Sequence, residues 1–106
     1  MLQTITRISV ANYSNLRVRS GYTIKIDNTE IALFKLTCGE IYAIENRSPH
    51  PKGGVLSEGL VSGEYVFCPV YDWKISLKDG KVHSPDVGQV RTFKVELEED
   101  IVFIVR

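Results

Sequence analysis

Two cysteines, Cys38 and Cys68, and two histidines, His50 and His83, are the sulfur and imidazole donors of this 106-residue chain. Thiolate and imidazole are the side chains that hold zinc, copper or iron, so their placement is the first thing to read. His50 lies in the stretch Asn46 to Gly54, NRSPHPKGG, whose prolines and glycines cannot extend a strand ladder and specify a sharply turning loop. Cys68 opens a second short loop, Cys68-Pro69-Val70-Tyr71, with seventeen residues between it and His50. Taken singly, these residues have plain roles: Cys68 as a buried thiol at a strand end, and His50 as a loop imidazole satisfied by water or backbone. Tyr71 and Trp73 are expected to be packing groups, Cys38 another core thiol, His83 a surface residue, and Asp72 a turn carboxylate that caps backbone donors. No supported Ser-His-Asp set, phosphate loop or pair of carboxylates in an apolar loop is present, so no independent catalytic activity is expected.

The elements that must position these loops read as strands. Thr4 to Val10 is a first strand, and the Asn-rich Ala11 to Asn15 is a turn or a single helical turn. Tyr22, Ile24 and Ile26 alternate with polar residues, Asp27-Asn28 supplies a turn, and Glu30 to Leu36 returns as an apolar run. After the reversal at Cys38-Gly39-Glu40, Ile41 to Ile44 is apolar on both faces, as a strand between two layers would be. Glu64 to Cys68 and the alternating Trp73, Ile75 and Leu77 lie on either side of the second loop, and Lys78-Asp79-Gly80-Lys81 is a hairpin signal. A polar linker, Ser84 to Gly88, leads to a closing hairpin of Phe93 to Leu97 and Ile101 to Val105. No window carries a helical apolar stripe of three turns. One all-β domain spanning 1–106 is expected, with the two loops in a subdomain at about 45–86.

Thirteen basic and thirteen acidic side chains cancel, which argues against nucleic acid or an anionic membrane as partner. No stretch approaches the roughly 18 consecutive apolar residues of a spanning helix, and no signal peptide is evident, so a cytoplasmic protein without membrane association is expected.

The stretch from Ile41 through Asp86 resembles the small subunit of assimilatory NAD(P)H nitrite reductases. The resemblance is carried by Pro49-His50-Pro51-Lys52-Gly53-Gly54-Val55-Leu56-Ser57-Glu58-Gly59, by VSGEYVFCP from Val61, and by DWKISL from Asp72. It implies a Rieske-type iron–sulfur protein fold, an antiparallel β-sandwich with a small two-loop cluster-binding-like subdomain. In such proteins the loops read C-x-H and C-x-x-H, and one iron takes two cysteines while the other takes two histidines. The matching positions here are Ser48, His50, Cys68 and Tyr71. Ser48 offers a hard, protonated oxygen in place of a soft sulfur, and the Tyr71 phenol must ionise before it can bind iron. Each iron would keep one protein ligand of the usual kind. Pro51 intervenes before Lys52-Gly53-Gly54; anchoring the alignment on those three residues instead moves His50 off the ligand position and leaves Cys68 alone. The expectation on either alignment is that no [2Fe–2S] cluster, the family's norm, is bound, that these are vestigial positions with no catalytic or metal-binding residue, and that Tyr71 with neighbouring apolar groups fills the space.

The function this implies is an accessory, structural or regulatory subunit of a cytoplasmic NAD(P)H-dependent nitrite reductase in nitrate assimilation, partnered by a large flavin and siroheme subunit. Two other readings remain open: a Rieske-type ferredoxin carrying electrons through an atypical centre, and a stand-alone β-sandwich binding module, since a fold does not fix a function.

Overall fold

The computed structural model describes residues 6–50, 52–83 and 86–105. Among the described residues nine strands account for the regular structure, with two short 3-10 turns at Tyr13–Asn15 and Leu56–Glu58. They are β1 (Arg7–Asn12), β2 (Ser20–Ile26), β3 (Thr29–Lys35), β4 (Ile41–Glu45), β5 (Leu60–Ser62), β6 (Tyr65–Phe67), β7 (Lys74–Ser76), β8 (Thr92–Glu98) and β9 (Ile101–Val105). No helix among the described residues is long and apolar enough to cross a membrane.

The long strands form one antiparallel sheet in the order β1-β9-β8-β4-β3-β2, and β5-β6-β7 form a small three-stranded sheet. The expected hairpins are present: β2 pairs with β3 around Asp27-Asn28, and β8 pairs with β9 around Glu99-Asp100. The large sheet is joined at its middle by Ala43 opposite Phe93 and Ile44 opposite Thr92, a pairing that the Glu45 N–H extends by donating to the Arg91 carbonyl at 2.8 Å.

Strand β3 explains its own composition. Side chains alternate across a strand, and here both faces are covered. Ile31 and Leu33 enter a cluster with Leu16, Ile26, Ala43, Val102 and Ile104. Ala32 and Phe34 enter a second cluster with Ile44, Leu56, Val66, Cys68, Ile75 and Leu77. An apolar run without polar alternation is what a wall between two cores requires.

Three expectations shift. The first strand begins at Arg7 and reaches Asn12, with a register irregularity between Ser9 and Ala11; Thr4 and Ile5 lie outside the described residues. Leu56–Glu58 and β5 were not anticipated, because three-residue elements are too short to show a period. Lys78 to Lys81 makes a tight turn, closed by the Gly80 N–H donating to the Ser76 carbonyl at 2.8 Å, but beyond it the chain forms only isolated bridges, Ile75 with Val82 and Lys81 with Gln89.

Candidate functional site

The loop between β4 and Val55 is anchored at its base by Asn46. Its side chain accepts from the Ser57 N–H at 2.7 Å and donates to Ser57 Oγ at 3.1 Å and Thr23 Oγ1 at 3.2 Å. Thr23 and Ser57 hydroxyls are themselves 2.7 Å apart. This network ties the loop to β2 and to the 3-10 turn. Gly21 makes the approach possible, because a Cβ there would run into the Ser57 carbonyl and the Phe34 ring.

Above that base the loop closes on itself. The Ser48 N–H donates to the Gly54 carbonyl at 3.0 Å, and the His50 N–H donates to Ser48 Oγ at 3.2 Å. The His50 carbonyl accepts from the Gly53 N–H at 2.8 Å, and His50 Nδ1 accepts from the Lys52 N–H at 2.9 Å. With Nδ1 used as an acceptor, a neutral His50 carries its proton on Nε2. Pro51 lies outside the described residues.

The second loop is clasped by the Cys68 N–H donating to the Trp73 carbonyl at 2.9 Å. Cys68 Sγ receives the Val70 N–H at 3.4 Å and faces the Gly53 carbonyl at 3.9 Å. Tyr71 and Asp72 then take consecutive left-handed conformations, φ 65° and 51°. That reversal lays the Tyr71 ring on His50, with centroids 4.5 Å apart and planes at 18°, while Trp73 meets the same imidazole edge-on at 4.7 Å.

The four anticipated positions therefore fall into two layers. Ser48 and Cys68, 3% and 0% exposed, lie beneath. Between them is Gly54, φ +133°, whose added Cβ would stand 2.7 Å from Cys68 Sγ and 3.5 Å from Ser48 Cβ. His50 and Tyr71 form the outer layer. Tyr71 is 65% exposed, which corrects the expectation that it fills an interior space: the left-handed turn aims its ring outward over His50. Asp72 also departs from its expected role, since its carboxylate caps no backbone donor among the described residues. Cys38 is exposed rather than buried, with Sγ 3.4 Å from Glu40 Oε1. His83 is exposed as expected, edge-on to Tyr65.

The network of Asn46, Thr23 and Ser57 was not found from sequence. Asn46 was visible only as the first residue of a polar loop, and its partners lie 23 and 11 residues away.

Comparison with known proteins matches residues 7–105 to the Rieske-like [2Fe–2S] domain. A nitrite reductase [NAD(P)H] of Emericella nidulans is 34% identical over 89 residues, which cover 76% of this chain and 8% of that protein. The chain thus spans less than a tenth of that relative, and 9% of a nitrite reductase large subunit of Klebsiella oxytoca. The ferredoxin component of a Pseudomonas putida naphthalene 1,2-dioxygenase system is 29% identical over 102 residues, covering 95% of this chain and 96% of the ferredoxin. A solved structure described as a nitrite reductase NADPH small subunit superimposes with a TM-score of 0.82 at 26% identity, covering 93% of this chain and 97% of that one.

These comparisons correct the expectation that no cofactor is bound. The [2Fe–2S] domain family and the ferredoxin relative point to a [2Fe–2S] cluster. The expectation weighed the Ser48 hydroxyl as too hard and the Tyr71 phenol as too costly to ionise for iron, and it is that ligand count which the family match overrides. The donor set itself is one thiol, one imidazole and two hydroxyls, so it departs from two cysteines and two histidines at Ser48 and Tyr71. Among the described residues no group of three His, Cys, Asp or Glu side chains converges.

Proposed function

Because the chain belongs to the Rieske-like [2Fe–2S] domain family, we propose that it serves as the small-subunit type of accessory component of an NAD(P)H nitrite reductase, docking its two-loop tip on a larger redox subunit. The observation that carries this reading is the exposed Tyr71 ring, held against His50 by two strained residues on a clasped loop. Strained backbone persists where its surroundings over-determine it, and it clusters at binding and active sites. Val87, 85% exposed, adds an apolar group next to Gly88, whose Cβ position lies 3.0 Å from Pro49 of the first loop. The chain's own residues present and position this surface; the reduction of nitrite belongs to the larger subunit. The relatives named as nitrite reductases support the reading.

Co-expression with the large nitrite reductase subunit followed by size exclusion at micromolar concentration tests it. Co-elution of the wild-type chain, lost on Tyr71→Ser, is the expected result. Elution as two independent species overturns the proposal.

A ferredoxin-type component of an oxygenase system is the second reading, favoured by a match that runs nearly the full length of both chains. Iron and acid-labile sulfide in anaerobically purified protein, together with electron delivery to a purified oxygenase, would support it over the first. Binding to the nitrite reductase subunit without such delivery would set it aside.

A further inference from the structure

The outer face of the small sheet holds a second, unexplained surface. Register places Leu60 opposite Phe67 and Phe67 opposite Lys74, with Ser62, Tyr65 and Ser76 forming the adjoining row. Residues directly opposite in a ladder share one side of the sheet. The other side carries Val61, Val66 and Ile75, all buried in the core. Leu60 is left 67% exposed beside two half-buried aromatic rings that face away from the interior.

A cation lies over those rings. Lys74 Nζ is 4.3 Å from the Tyr65 centroid and 5.9 Å from that of Phe67, and His83 meets Tyr65 edge-on at 6.0 Å. No carboxylate among the described residues pairs with Lys74. Glu64, the acid in the turn between β5 and β6, is taken by Lys78 at 3.0 Å. Resting on aromatic faces, the ammonium is held in place while its charge stays uncompensated. The surface is also continuous with the tip, since β6 runs into Cys68 and β7 leaves Trp73.

We propose that this face binds a segment of the larger redox subunit that presents a carboxylate flanked by apolar side chains, the carboxylate meeting Lys74 and the apolar groups covering Leu60 and Phe67. The inference rests on the small-subunit reading above and adds the chemistry of the partner's contact. Long-range charge at an interface acts on encounter rate and salt dependence, and apolar cover acts on dissociation.

The experiment measures binding of the labelled full chain to the purified large nitrite reductase subunit at low and physiological salt. Lys74→Glu should weaken binding about tenfold and flatten its salt dependence, while Lys74→Arg keeps both. Leu60→Ser, at a site too exposed to affect folding, should speed dissociation without changing the salt slope. Wild-type binding that neither Lys74→Glu nor Leu60→Ser alters overturns this face and leaves the tip reading standing. Failure of the wild-type chain to bind overturns both. Self-association of the chain alone that Leu60→Ser abolishes would assign the face to a second copy and overturn the proposal as well.

Discussion

Tyr71 and Asp72 occupy a backbone region that favours glycine or asparagine, φ 65° and 51°, although neither residue type is present in Val70-Tyr71-Asp72-Trp73. Pro69 and Asp72 marked a loop here, but nothing in the sequence said that Tyr71 itself takes a left-handed conformation, and with that its outward course was lost. Aspartate tolerates the conformation because its short side chain crowds the carbonyl little, whereas a β-branched residue does not. Asp72→Val should therefore cost about 1–2 kcal/mol in urea unfolding, and an unchanged midpoint would show that the loop relaxes freely. Asp100 gives a pH-dependent case. Its carboxylate accepts from the Ser14 hydroxyl at 2.7 Å, the Ser14 N–H at 2.9 Å and the Asn12 amide at 3.4 Å. The Ser14 hydroxyl bond, foremost, lowers its pKa below the ordinary carboxylate value. A depressed folded-state pKa contributes stability above the unfolded-state value that is lost as pH falls through the folded-state one. Asp100→Asn should thus melt below the wild type at neutral pH, with the two curves converging in acid; a gap of constant size down the titration would refute the assignment.

Among the elements, the hairpins were legible because alternation and turn residues lie within a few positions of each other, as in Tyr22 to Ile26 with Asp27-Asn28. The join between the first loop and β2 was not, since it depends on side chains brought together only by the folded sheets. Asn46 is buried there, and every buried side-chain polar atom among the described residues has a partner. Asn46→Ala would leave the Ser57 N–H without its acceptor inside the protein. A stranded buried donor costs about 1–3 kcal/mol, so the variant should lose at least that much in denaturant unfolding. Faster amide exchange at Ser57 should accompany the loss; exchange at the wild-type rate would mean the network does not hold the loop base. Gly21→Ala acts on the same join from the other side by forcing β2 away from the Ser57 carbonyl. Overpacking of this kind costs about 1–3 kcal/mol.

At the scale of the whole molecule, two apolar clusters share one wall. Leu33 points from β3 into the cluster that holds Val102 and Ile104, and Phe34 points the opposite way, into the cluster beneath the small sheet. The apolar run was evident in the sequence, but which residue faced which side depended on where the second layer packs, and the alternation of Trp73, Ile75 and Leu77 did not say which face of β3 it would cover. If β3 couples the clusters, damage to either face must be felt by both. Trp73, the only tryptophan, packs against the Phe34 side, so its fluorescence follows that cluster, while far-ultraviolet circular dichroism follows mainly the long strands. Leu33→Ala removes packing on the side away from Trp73 and should cost about 2–5 kcal/mol. Both probes should nevertheless report one shared transition, shifted together to lower denaturant, as two-state unfolding requires. A Trp73 transition that stays at the wild-type midpoint while the dichroism moves would show the two clusters folding separately on the two faces of β3.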